Sequence, residues 1–152
     1  MLKTILLSLI VLNFFCIQAY ACKCIMPGPS IEESVQNSDV IFIGKCIAGE
    51  FIEEGDINSP SEYKYKVVWT FEVQKQIKGQ YKSVKIQVET GIGSGDCGFP
   101  FVFGFSYLVY GKLIESNIET DICSRTKIAG VYPINIDDKA KVELEKLNNI
   151  LK

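Results

Sequence analysis

The chain has 152 residues, 16 of them basic and 18 acidic, with a formal net charge of −2. That length suits one domain with a real core, and a mildly acidic chain without a long basic run is a poor ligand for nucleic acid, whose binding rests on phosphate neutralisation. No histidine is present, which excludes Ser-His-Asp and Cys-His nucleophilic catalysis and the histidine-based zinc sites, H-E-x-x-H among them; with no metal-ligand cluster and no activated nucleophile, the chain is not read as an enzyme and is expected to need no cofactor of its own.

Residues 1–21 read as a secretory signal peptide. Lys3 supplies the positive start, Ile5 to Ile17 is uncharged, and Ala19-Tyr20-Ala21 has the small residues of a cleavage site. The apolar run is shorter than the ~20 residues that span a bilayer. Cleavage at Ala21–Cys22 predicts a secreted monomer, extracellular or periplasmic, with no membrane span. It would be a single domain over 22–152 beginning Cys22-Lys23-Cys24. Bulky Tyr20, with Ala19 where lipoprotein signals usually carry Leu, argues against lipid modification of Cys22. Cys16 leaves with the signal, so Cys22, Cys24, Cys46, Cys97 and Cys123 remain. An exported chain with spread cysteines is expected to be disulfide-bonded. An odd number leaves one thiol free or paired between molecules.

Pro27-Gly28-Pro29 is a turn. Ser30 stands three residues before Glu33, the spacing of a capping box, and Ile31 and Val35 share a face; a short helix over 31–37 follows. Val40 to Ile47 is a strand, apolar on both faces at first, as in a buried barrel strand. Cys46 lies inside it and is expected to be the buried free thiol. Residues 49–62, rich in acidic residues with Gly, Ser and Pro, read as an exposed hairpin loop. Asn58-Ser59-Pro60 is not a glycosylation sequon. Tyr63, Tyr65, Val67, Trp69, Phe71 and Val73 alternate with mostly polar residues over 63–74. This is a long strand with one buried face, whose aromatics serve packing rather than base stacking.

Lys78-Gly79-Gln80 turns the chain, and Val84, Ile86 and Val88 mark a third strand. The glycine-rich stretch over 91–98 lacks the Lys-Ser/Thr and the following helix of a phosphate-binding loop. It reads as a flexible connector that lets Cys97 reach another segment. Phe105 to Ile114 is a fourth strand with a bulge or bend at Gly111, and Ile118 to Cys123 a fifth. Asp137 to Leu151 is a helix, with Asp137 and Asp138 at its positive end and Val142, Leu144, Leu147, Ile150 and Leu151 loosely at helical spacing. The pattern predicts a mainly β fold: a five-stranded OB-like Greek-key barrel with short flanking helices, stapled by disulfides.

With these elements placed, the chain resembles a netrin-like (NTR) module. More closely, it is similar to the N-terminal inhibitory domain of the tissue inhibitors of metalloproteinases, in the compact single-domain form found in bacteria. The resemblance rests on Cys22-x-Cys24 at the cleavage site, Asp39-Val40-Ile41-Phe42 in the first strand and Cys97 after the third. It also rests on Gly95-Asp96-Cys97-Gly98-Phe99-Pro100-Phe101, Tyr107-Leu108-Val109-Tyr110 and Cys123-Ser124-Arg125-Thr126. It covers essentially all of 22–130.

The resemblance implies the bridges Cys22–Cys97 and Cys24–Cys123, with Cys46 left free. It implies an inhibitory edge of Cys22, Lys23, Cys24 and Ile25 beside Ser94, Gly95 and Asp96. The partner would be a zinc metalloendopeptidase. The Cys22 α-amine and carbonyl oxygen would chelate that enzyme's zinc and displace its water, so the metal belongs to the target. The animal inhibitors carry a small hydroxyl residue where this chain has Lys23; a lysine there implies a target pocket with a carboxylate, because an unpaired buried charge is costly. The further N-terminal bridge and the separate C-terminal domain of the animal proteins have no counterpart here. The alternative is a non-inhibitory netrin-like interaction module in which Cys22 and Cys24 are only structural.

Overall fold

The computed structural model describes residues 22, 24, 28–55, 64–81, 83–93 and 95–152. The expected signal peptide over 1–21 and the Asn58-Ser59-Pro60 segment lie outside these residues, as do Lys23, Ile25, Tyr63 and Ser94.

Ser30 opens the first helix, α1 (Ile31–Asn37), through a reciprocal capping box. Its Oγ accepts the Glu33 N–H at 3.1 Å, and its own N–H donates to Glu33 Oε2 at 2.8 Å. The strands are β1 (Val40–Glu54), β2 (Lys64–Lys78), β3 (Lys85–Thr90), β4 (Ser106–Ile114), β5 (Asn117–Glu119), β6 (Lys127–Val131) and β7 (Asn135–Ile136), followed by α2 (Asp138–Ile150). They form one sheet in the order β1-β2-β3-β5-β4-β6-β7, and β1 also pairs with β4. That extra pairing closes β1, β2, β3, β5 and β4 into a ring. Its ladders are antiparallel except β3 with β5. The fold is mainly β and OB-like, as the pattern predicts.

The doubly apolar start of β1 has a simple cause. Val40, Phe42 and Cys46 face the ring interior with Phe71, Ile86, Val88, Phe101, Tyr107, Val109 and Ile118. Ile41 and Ile43 face outward, beneath the helices, with Val35, Leu108, Tyr110, Ala129, Ala140, Leu144 and Leu147. Alternate residues of β1 and β4 therefore feed two cores, one inside the ring and one between sheet and helices.

Several expectations are corrected. Residues 49–54 are not loop: β1 runs to Glu54 and pairs with β2 down to Glu54 opposite Lys64. The acidic stretch is exposed because this two-stranded ribbon runs past the core. Phe51 and Tyr65 stack there with ring centroids 5.6 Å apart. The buried face expected along β2 reduces to Phe71; Val67, Trp69 and Val73 are half-buried and Tyr65 is exposed. Register shifts at Ile41/Phe42, Ile43/Gly44 and Cys46/Ala48 twist the ribbon and break strict alternation. Val84 lies outside β3 and is exposed.

Gly111 is not a bulge, since the β1–β4 register is even from Val40 opposite Gly111 to Lys45 opposite Ser106. It is a point of close approach: a Cβ there would lie 2.5 Å from Ile118 Cγ2. β5 ends at Glu119, so Cys123 sits in a turn rather than a strand. β6 and β7 are additions to the five expected strands. On α2 the buried positions are Ala140, Glu143, Leu144 and Leu147, while Val142 and Ile150, and Leu151 just past its end, are exposed. Among the described residues no helix is long and apolar enough to cross a membrane.

Candidate functional site

The end of β3 and the end of β5 lie side by side, because these two strands are parallel neighbours. Each is followed by a loop that carries one bridging cysteine. Cys22 is bonded to Cys97 and Cys24 to Cys123, with Cα–Cα distances of 5.2 and 5.1 Å. The bridges expected from the resemblance are therefore present. The Ile122 N–H donates to the Cys97 carbonyl at 2.9 Å, which ties the two receiving loops to each other. Residues 22 and 24 are thus held on one edge, and both are only partly buried.

The loop after β3, expected as a connector for Cys97, is tied across its described residues by Asp96. Asp96 Oδ2 accepts the Ile92 N–H at 2.7 Å, and Oδ1 accepts those of Gly93 and Gly98 at 2.8 and 3.1 Å. Burial works to raise the Asp96 carboxyl, but these backbone donors outweigh it and hold it below the ordinary carboxylate range. A Cβ on Gly98 would overlap the Gly91 carbonyl, so only glycine lets the loop close at that point. Cys97 itself has φ +63°. Gly95 lies beside the first bridge, its carbonyl oxygen 3.6 Å from Cys22 Sγ. Of the expected edge, Cys22, Cys24, Gly95 and Asp96 come together here. Lys23, Ile25 and Ser94 are outside the described residues.

The turn that carries Cys123 is equally built. Asp121 Oδ1 accepts the N–H groups of Cys123 and Ser124 at 2.8 and 2.7 Å. The Thr120 hydroxyl donates to the Tyr110 carbonyl at 2.9 Å, and it lies 2.9 Å from the hydroxyls of both Ser124 and Thr126. The Tyr110 N–H donates to Thr126 Oγ1 at 3.0 Å. Short hydroxyl side chains thus supply the partners that a strand ladder would otherwise give.

Next in the chain, Arg125 joins this turn to α2. Its Nε and Nη2 donate to Glu143 Oε1 and Oε2 at 3.0 and 2.8 Å, and its Nη1 donates to the Pro29 carbonyl at 2.7 Å. Lys127 Nζ reaches Glu143 Oε2 at 2.5 Å, and the Tyr110 hydroxyl donates to Oε1 at 2.6 Å. Glu143 is 3% exposed. Burial alone would raise its carboxyl, but the donors from Arg125, Lys127 and Tyr110 prevail and bring it to about 2. Burial, reinforced by the adjacent carboxylate, pushes the Tyr110 hydroxyl well above its ordinary range. Sequence reasoning missed this cluster. The signal was there: Glu143 stands three residues after Ala140 and four before Leu147, on the stripe that packs inward.

Cys46 is fully buried in the ring interior and is the free cysteine among the described residues. Burial pushes its thiol up to about 11. Among the described residues no group of three or more metal-ligating side chains occurs. No protein-family model matches this chain, and no curated protein matches it.

Proposed function

We propose that the protein is a netrin-like inhibitor of zinc metalloendopeptidases, exported and cut before Cys22, with no catalytic activity of its own. The observation that supports this reading best is the convergence of Cys22–Cys97 and Cys24–Cys123 on one edge, with the two receiving loops bonded to each other. A chain starting at Cys22 would present its α-amine and the Cys22 carbonyl oxygen from a doubly anchored segment. Catalytic zinc keeps an open position for water or substrate. An α-amine titrates near ~7.7–8.0, so zinc can displace its proton near neutral pH. Anchoring before the encounter lowers the ordering cost of binding. Lys23, one residue after the chelating group, selects targets whose pocket beside the zinc holds a carboxylate.

The test is a titration of zinc endopeptidases, some with acidic and some with apolar pockets, against the oxidised protein beginning at Cys22. Inhibition of the acidic-pocket enzymes is expected. Full activity of every enzyme at saturating protein, with both bridges verified, removes the proposal in favour of an interaction module.

A further inference from the structure

We infer that Arg125 is a positioning residue for the amino-terminal edge, a clamp that carries the fixed position of α2 across to the Pro29 carbonyl. This rests on the reading of that edge as the binding surface. A guanidinium is planar, with donors in a rigid fork. Two of its nitrogens are taken by the two oxygens of Glu143. That bidentate pairing fixes the plane and so fixes where Nη1 points. It points at the Pro29 carbonyl, 2.7 Å away.

Glu143 is itself held from several sides. It is 3% exposed, sits on the buried face of α2 and accepts from Tyr110 of β4 and Lys127 of β6 as well. Pro29 directly precedes Ser30, which caps α1, and it lies a few residues after Cys24. Two residues before Arg125 in the chain is Cys123, the partner of Cys24. The segment entering the barrel is therefore gripped at both ends from one turn: covalently at Cys24 through Cys123, and by a charged hydrogen bond at Pro29 through Arg125. A hydrogen bond from a charged donor is stronger than a neutral one, so it makes an effective second anchor. Lysine at 125 keeps the charge facing Glu143 but cannot span both partners.

Backbone amide exchange on the oxidised protein tests this without any protease. In Arg125→Lys the N–H groups of Ser30, Glu33 and Ser34, which are bonded within the α1 cap, should exchange about tenfold faster. Those of Ile43 and Leu108 in the core should not change. In Glu143→Gln, which keeps Arg125 but frees its plane, the cap should loosen together with α2. Unchanged protection at Ser30, Glu33 and Ser34 in either variant, with the core intact, overturns the proposal. In Arg125→Lys, acceleration of the cap no greater than that of Ile43 and Leu108 overturns it as well, because it marks a merely structural ion pair; Glu143→Gln, which lowers global stability, is read as cap relative to core. Inhibition is then read separately. A faster dissociation of Arg125→Lys from an inhibited protease supports the positioning role, and an unchanged dissociation rate overturns it. A loosened cap in a protein whose native form inhibits nothing keeps Arg125 as the clamp of that edge and rejects only the inhibitor reading.

Discussion

Glu143→Gln removes the charge that Arg125 and Lys127 share, and its effect can be worked from the structure. The native carboxyl sits at about 2, held down against burial by its three donors. An unfolded glutamate titrates near ~4.3, and the gap corresponds to ~3 kcal/mol. The folded value is the lower of the two, so as pH falls the unfolded chain takes up the proton first. The contribution is therefore complete above pH ~4.5 and is lost as pH drops toward ~2. In the variant the cations lose their partner. The Arg125 and Lys127 side chains keep 24% and 29% exposure, so water screens part of the loss. We expect a cost of about 2–3 kcal/mol at pH 7, at or below the low end of the range for broken buried pairs. Urea unfolding of both proteins with disulfides intact, from pH 7 to pH 2.5, reads it directly. The stability difference should narrow as the pH falls below ~4. A difference that stays constant across that range, or a variant as stable as the native chain at pH 7, would refute the reasoning.

Three other outcomes follow from the same geometry. The Cys46 thiol, buried and pushed up to about 11, should resist alkylation at pH 8 in the native protein and react only on unfolding; mass spectrometry of native labelling counts it, and modification at the rate of an exposed cysteine contradicts the burial. Replacing Cys24 and Cys123 together by alanine opens a link spanning 99 residues and should cost roughly 2–5 kcal/mol, read as a lower urea midpoint. Asp96→Asn weakens the acceptor for three backbone donors, so amide exchange at Ile92, Gly93 and Gly98 should quicken while Val88 stays protected; equal exchange in both proteins would mean the loop holds without that carboxylate.

What the sequence made legible was set by local rules. The Ser30/Glu33 capping box and the acidic pair Asp137 and Asp138 at the positive end of the last helix are short-range chemistry; Asp137, expected as the first helical residue, is the N-cap, its side chain accepting the N–H groups of Lys139 and Ala140, and both helices fall within about a residue of their expected bounds. The apolar run Val40–Ile43 correctly signalled a strand buried on both sides. Where the reading failed, long-range pairing decided. Residues 49–54 look like loop because nothing buries them, yet β2 supplies their ladder. β6 and β7 are too short and too exposed to carry a period. Gly111 reads as a bend in one dimension and proves to be room for Ile118 in three. At the site, the cysteines were visible as spacing, while the clamp of Arg125, Lys127 and Glu143 was not, because a charged residue on a helix is assigned to solvent until its partners are known.

The measurement that tests the central claim most directly compares two oxidised proteins on one susceptible zinc endopeptidase, one beginning at Cys22 and the other carrying a single alanine before it. The extra residue acylates the α-amine and removes its metal-binding lone pair while leaving Cys22–Cys97 and Cys24–Cys123 in place. Chelation predicts that the Cys22 form inhibits and the extended form does not, with both equally stable in urea. Equal inhibition by the two would contradict chelation by the terminal amine, whatever the fold.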